Sequence, residues 1–362
     1  MRSGIGRPLL RWFRASGRPL PWRGPFPRDP YRVLVSEVML QQTQVERVLT
    51  SYGEFLHRFP TLQVLGAAQL DEVLEAWSGL GYYRRARLLH AASRAVLEIG
   101  GWPCEVAALR RLPGIGDYTA AAVSAFAFGG AEPPVDGNVS RVACRVRGLR
   151  LALGSRAILT AGSRLGRQAY RESGTPEVFE ALMELGARVC TPAAPRCADC
   201  PLRPVCAAHA NGVPEAVPLP QRSRRAEAHR WAALWVRDER GRVLLQRVAE
   251  GGPLAGLWLP PFRPVAGRRE GPRTARNIAA ALGLSAPRQA GRVRHSITHR
   301  RIEVAVYLCR AYPGVRESDE TLTWVDPDRP GVATSSLFGK IRAAANAATR
   351  LPAAGRGEED TQ

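Results

Sequence analysis

Between Pro30 and about Cys190, apolar residues recur three and four positions apart in YRVLVSEVML, LDEVLEAWSGL, RARLLHAASRAVLEI, TAAAVSAFAF and VFEALMELGARVC. That is the period of a helix face, so this half is expected to be helices joined by short Pro/Gly turns. The pattern breaks at NGVPEAVPLPQRSRRAE (211–227), where prolines and charges take over as in a linker. Beyond it, RWAALWVRD, GRVLLQRV, GRVRHSI and RIEVAVYLC are short runs rich in β-branched residues, and ARNIAAALG and SSLFGKIRAAANAA have helical spacing. The expected organisation is an all-helical domain over 1–211, a linker over 212–228, an α+β domain over 229–350 and a disordered tail over 351–362.

Composition narrows the partner. A chain of 362 residues has room for two or three domains, and 45% hydrophobic residues exclude a wholly disordered basic tail. A net charge of +20 then points to a polyanion, most simply nucleic acid. The first 211 residues and the remainder each carry +10, so both halves can face it. Residues 263–301 hold ten arginines and one acid, Glu270, which reads as a contact surface or as an ordinary solvated face. Lys340 is the only lysine, so lysine chemistry is impossible in the first 339 residues. The longest uncharged apolar stretch, Tyr118–Ala131, has 14 residues, short of the ~20 that a spanning helix needs. Arginines interrupt the first 18 residues where a signal peptide needs an apolar core. A cytoplasmic monomer is expected.

The sharpest chemical signal is Cys190-x6-Cys197-x2-Cys200-x5-Cys206. Four thiolates this close can share one centre, either an iron–sulfur cluster or zinc. Cys104, Cys144 and Cys309 are isolated and are expected in the core. In LPGIGDYTA (112–120), Gly114 and Gly116 let backbone N–H groups approach a phosphate at a helix start; the bland alternative is a tight turn. Glu37 lies among apolar residues, where its neutral form is favoured and it becomes a candidate general acid; alternatively it sits on the wet face of an amphipathic helix. Asp136, where an extended segment meets a helix, is either an N-cap or a second carboxylate for the chemistry.

LPWR (20–23), SEVMLQQTQV (36–45), GLGYYRRAR (79–87), LPGIGDYTA, VDGNVSRV (135–142) and the four-cysteine segment, in this order, resemble the helix-hairpin-helix DNA glycosylases of the MutY type. The resemblance covers about residues 7–209. It implies a helical glycosylase domain with a [4Fe–4S] cluster on the four cysteines (190–206), and double-stranded DNA holding adenine opposite 8-oxoguanine or guanine as substrate. It further implies that Glu37 protonates the adenine and that Asp136 stabilises the positive sugar, with Tyr118 and Asn138 in support. Arg18, Leu20, Trp22 and Glu180 match positions lining the adenine pocket. Leu40, Gln41, Gln42 and Tyr82 match positions at the duplex, as do Gly114 and Gly116, although Tyr82 and Tyr83 also suit a core. Relatives resembling endonuclease III carry a lysine where this chain has Tyr118, so a monofunctional enzyme is expected.

The second domain resembles a Nudix fold. RNIAAALGL (276–284) aligns with that family's metal-binding segment, but its glutamates are replaced by Asn277, Ala280 and Ala281, which removes the magnesium ligands. The resemblance then implies recognition of 8-oxoguanine without hydrolysis, through RHSITH (294–299) with Thr298 and His299. Ile297 stands where the family usually has an aromatic residue.

Overall fold

A computed structural model describes residues 4–220, 226–249, 251–252, 254–312 and 321–350. These fall into two compact units, one formed by Met1–Ala68 with Arg85–Ser223, the other by Gln69–Arg84 with Arg224–Gln362. The division falls inside the expected linker, but the segment 69–84 packs with the second unit rather than the first. The linker is also shorter than expected at its start. Val217 is buried, and Leu219 pairs with Leu151 and Leu153 through backbone hydrogen bonds of 2.9 and 3.0 Å, so the chain is still anchored there. The tail 351–362 lies outside the described residues.

The first unit is helical. It runs through α1 (Gly6–Ser16), α2 (Pro30–Leu40), α3 (Val45–Arg58) and α4 (Leu62–Ala67). After α5 (Leu70–Ala76), which belongs to the other unit, it continues with α6 (Arg84–Glu98), α7 (Val106–Leu109), α8 (Asp117–Phe128) and α9 (Gly137–Arg147). It closes with α10 (Arg156–Ser173), α11 (Glu177–Arg188) and the short α12 (Ala207–Ala210). The named apolar runs correspond to α2, α5, α6, α8 and α11, whereas α3 and the longest helix, α10, were not singled out; Val189 and Cys190, which continue the α11 pattern, lie beyond its end. Two helices are buried nearly all round, α2 and the Ala-rich α8, and they pack on each other at the centre. Asp29 starts α2 by accepting the Tyr31 amide at 2.8 Å, with Pro30 in the first turn, where a missing N–H costs nothing.

The second unit is a sheet with a helix on each face. Its strands are β1 (Glu227–Arg237), β2 (Val243–Arg247), β3 (Trp258–Leu259), β4 (Phe262–Pro264), β5 (Arg288–Ile297), β6 (Arg300–Arg310) and β7 (Leu322–Val325). The main order is β3-β2-β1-β6-β5, with β4 paired to β1 and β7 to β2. Strands β1 and β6 run parallel, in register at Ala232 and Ala305. On β1, Ala232, Leu234 and Val236 face the cluster that includes Ile278 of α13 (Gly271–Ala281), while Trp235 packs 5.7 Å from Phe338 of α14 (Ser336–Arg350). Burial on both faces explains why AALWV is apolar without alternation. Strands β3, β4 and β7 span two to four residues, too few for periodicity to mark them.

Candidate active site

Glu37 sits in the buried run of α2 and is only 6% exposed, so the wet-face alternative does not hold. Its Oε2 has no hydrogen-bond partner among the described residues. Burial raises its pKa to about 7; the Tyr118 phenol and Arg23 pull it back down, and the Glu180 and Asp136 charges push it further up. Tyr118, in the first turn of α8, has its own pKa raised well above the ordinary phenol value by burial and by the carboxylates around it. Its hydroxyl lies 3.8 Å from Met183 Sδ as donor.

Asp136 is indeed an N-cap, and it is also part of this cluster. Its Oδ1 accepts the Val139 amide at 2.7 Å and its Oδ2 accepts Asn138 Nδ2 at 2.7 Å. Burial raises its pKa, and these donors oppose the rise. Asn138 is held in turn by Arg141, which donates to Asn138 Oδ1 at 2.8 Å, to the Gly186 carbonyl at 2.7 Å and to the Cys190 carbonyl at 2.7 Å. A continuous hydrogen-bonded path therefore runs from Asp136 to the first cysteine of the loop. The closeness of α9 and α11 requires Gly186, where a Cβ would lie 2.6 Å from that of Asn138.

Beside the cluster lies a buried ion network that the sequence reading only touched. Glu180 takes Arg28 on both oxygens, at 3.0 and 2.7 Å, and Arg23 at 3.4 Å. Glu184, fully buried, takes Arg18 at 2.8 and 2.9 Å and Arg23 at 3.0 Å. Burial pushes the Glu184 carboxyl up, but Arg18 and Arg23 outweigh it and hold it below the usual range. Glu184, Arg23 and Arg28 were missed. The available signal was the spacing Glu180-x3-Glu184, which puts both acids on one helix face. Leu20 and Trp22 are buried, Trp22 edge-on to Tyr52 at 5.4 Å.

The residues expected to reach DNA from this unit lie at two places, Leu40, Gln41 and Gln42 where α2 ends and Gly114 and Gly116 in the turn before α8. Arg85, also missed, is buried and donates to the carbonyls of Val38 and Met39 at 2.8 Å, to that of Gln41, and to Thr43 Oγ1 at 3.0 Å. Those carbonyls have no partner inside the helix, so the guanidinium both ends α2 and shapes the Leu40–Gln41–Gln42 turn. Gln41 donates to Thr119 at 3.3 Å, and Gln42 is in the left-handed region at φ +55°. In the turn before α8, Leu112 and Ile115 are buried as anchors. Gly114 has φ +73°, and a Cβ there would lie 2.5 Å from Leu88. Gly116 immediately precedes α8, with open space around it.

All four loop cysteines are half-buried and none is in a disulfide. Arg145 donates to Cys190 Sγ at 3.4 Å and to the Thr191 and Pro192 carbonyls, and Cys206 Sγ lies 3.4 Å from the Arg145 carbonyl. Burial pushes the Cys200 thiol up to about 11, and charge on the other three thiols adds to it. Among the described residues, no three His, Cys, Asp or Glu side chains are arranged to hold a single metal ion. Cys144 and Cys309 are buried as expected, but Cys104 is exposed.

In the second unit, Tyr82 is 38% exposed at φ +49°, whereas Tyr83 is buried as a core aromatic. Thr298 and His299 form the two-residue turn between β5 and β6, with Thr298 at φ +53° and His299 Nε2 3.1 Å from Glu227 Oε1. A cavity of about 320 Å³ includes Asn277 and Ala281, where magnesium-binding glutamates would project, and among the described residues no carboxylate lines it.

Residues 35–156 match the model of the HhH-GPD superfamily base excision DNA repair proteins, and residues 232–342 match that of the NUDIX domain. Together they define the class, a base excision repair protein of the helix-hairpin-helix superfamily carrying a Nudix-like second domain. An adenine DNA glycosylase of Mycobacterium tuberculosis is 40% identical over 67% of this chain and 78% of its own length. The chain belongs to the MutY-type adenine DNA glycosylase family. The Arabidopsis thaliana adenine DNA glycosylase is 31% identical over 92% of the chain and 62% of its own length, and the human one 44% over 55% and 38%. The chain thus spans about two-fifths of the human relative's length.

Proposed function

We propose that this chain hydrolyses the N-glycosidic bond of adenine opposite 8-oxoguanine or guanine in duplex DNA and leaves an abasic site. The observation that carries the reading is the buried Glu37 carboxyl, with a pKa of about 7, set beside Tyr118 and Asp136. A carboxyl half protonated at neutral pH can give its proton to a ring nitrogen of a flipped adenine. The base then leaves with the bonding electrons of the C1′–N9 bond, and the sugar becomes positively charged. The Asp136 carboxylate, fixed by Val139 and Asn138, stabilises that charge until water adds to C1′ and loses a proton. Arg18, Leu20, Trp22 and Glu180 would line the base pocket, with Glu180 held in place by Arg23 and Arg28.

Tyr118 stands where a lyase would need an amine, and Lys340, the only lysine, donates to the Arg294 carbonyl at 2.8 Å in the other unit. We therefore propose no strand cleavage. For the duplex, Gln42 and Tyr82 would enter the stack with Leu40 close to them, Gly114 and Gly116 would hold a phosphate with Gln41 as a second contact, and Thr298 and His299 would read the 8-oxoguanine. For the cofactor we propose a [4Fe–4S] cluster on Cys190, Cys197, Cys200 and Cys206. The support is the chemistry of the donor set: four half-buried thiols within 17 residues, none in a disulfide, suit a thiolate-ligated centre. Bound there, it would supply a structural clamp across the loop. We place the enzyme in the cytoplasm at the nucleoid, acting as a monomer.

The test is base release from duplexes holding adenine opposite 8-oxoguanine, guanine or thymine, each product divided between alkali and no treatment. Strand breaks only after alkali, fastest opposite 8-oxoguanine, are expected. No alkali-labile site in any duplex would replace the enzyme with a damage-binding protein.

A further inference from the structure

The segment from Gln69 to Arg84 belongs to the same compact unit as the sheet, although more than a hundred residues separate them in sequence. Its tip is conformationally demanding. Gly79, Gly81 and Tyr82 all have left-handed backbones, at φ +89°, +70° and +49°, and for an aromatic residue that conformation is costly unless its surroundings impose it. Inward-facing residues supply the constraint. Trp77, wholly buried, donates Nε1–H to the Gly81 carbonyl at 3.1 Å, and Leu80 is buried beside it in the sequence. Tyr83, only 5% exposed, donates its hydroxyl to the Thr334 carbonyl. The Thr334 segment is itself fixed, because the neighbouring Ala333 carbonyl accepts the Trp258 amide of β3 at 2.9 Å. Nearer the surface, Asp71 pairs with Arg247 of β2 at 2.8 Å.

We infer that Tyr83 is a positioning residue: its buried phenol ties the Gly81–Tyr82 tip to the Nudix-like unit, so that Tyr82 and the Thr298–His299 turn form one rigid reader of the base opposite the adenine. This rests on the proposed function, in which Tyr82 enters the duplex and Thr298 and His299 contact the 8-oxoguanine. Loosening the tip then lets Tyr82 enter without reporting which base it meets. The cost falls on discrimination between partner bases rather than on the chemistry, whose groups lie in the helical unit.

Tyr83→Phe removes one oxygen and leaves the buried ring. Single-turnover base release by the full chain is measured with adenine opposite 8-oxoguanine and opposite guanine, alongside amide hydrogen exchange over residues 79–83. The expected result is a fall of about 2- to 10-fold in the ratio of the two rates, the size of one net hydrogen bond, with the rate opposite guanine nearly unchanged. Exchange at Gly81–Tyr83 should quicken while α8 and α9 keep their protection. Asp71→Ala, which breaks an exposed pair, should do much less. An unchanged exchange rate in Tyr83→Phe overturns the tether. An equal fall on both duplexes, or an unchanged ratio where the wild-type protein prefers 8-oxoguanine, overturns its part in discrimination. Equal wild-type rates on the two duplexes would instead overturn the partner-base reading of the proposed function and, with it, the discriminating role of Tyr83, while faster exchange would still establish the tether.

Discussion

Replacing Glu37 by glutamine is expected to move activity and stability in opposite directions. The carboxyl goes from about 4.5 in the unfolded chain to about 7 when folded, so between those values the folded state holds the extra proton. Stability is therefore lost as pH rises through this window, because the buried group must ionise in surroundings that do not favour the charge. At 1.36 kcal/mol per pKa unit, full ionisation costs roughly 3 kcal/mol, and the part incurred between pH 5 and pH 8 is about 2.5 kcal/mol. Glutamine cannot ionise. It does bring a buried amide without an assured partner, but that penalty is the same at both pH values and cancels in the comparison. Urea unfolding of the helical unit, followed by circular dichroism, should thus show the variant gaining on the wild type by about 2.5 kcal/mol more at pH 8 than at pH 5. Base release should meanwhile collapse by about 10²- to 10⁴-fold, as for loss of a general acid, with duplex affinity largely kept. A stability difference independent of pH would refute the buried-acid reasoning, and near-normal base release would refute the catalytic role.

The wild-type rate of base release should fall with rising pH, since the protonated fraction of Glu37 drops from about nine-tenths at pH 6 to about one-hundredth at pH 9; a flat single-turnover profile would contradict this. Tyr118→Phe removes the phenol that lowers the Glu37 pKa, so its profile should shift to higher pH, and a shift to lower pH would show the phenol acting otherwise. Metal analysis of the purified protein should find about four irons per chain, and stoichiometric zinc without iron would eliminate the cluster. Borohydride should trap no covalent adduct with DNA, because Schiff-base chemistry needs an amine; a strong adduct would implicate Lys340 or the N-terminus.

Helices α2, α5, α6, α8 and α11 and the strands β1, β2, β5 and β6 were legible because their periods extend over enough residues. The four cysteines stood out as a group because thiols at that spacing have few other uses. Glu37 was ambiguous by itself. A carboxylate amid apolar residues is equally a surface residue until the opposite face of α2 is known to be buried as well. Asp136 was ambiguous for another reason, since capping a helix and facing the cluster employ the same carboxylate. Arg85, Arg141 and Arg145 could not be singled out among 51 arginines, because what distinguishes them is burial against carbonyls distant in sequence. The attachment of residues 69–84 to the second unit includes Tyr83 meeting Thr334 and Asp71 meeting Arg247, long-range contacts with no local pattern.

Helix α11 behaves as a graduated rod. Glu180 and Glu184 are its marks one turn apart, Gly186 is the notch where α9 packs close, and Cys190 follows just past its C-terminal end. Each residue of an α-helix turns the next by about 100° and advances it by about 1.5 Å. A single inserted or deleted residue between Glu184 and Gly186 would rotate the acids away from Arg18 and Arg23, or swing Cys190 out of reach of Arg141 and Arg145. The surface loops of this chain can lengthen without such consequence. Selection on this stretch should therefore act on its length as strictly as on its letters, and homologous sequences that vary freely elsewhere should keep the interval from Glu180 to Cys190 constant.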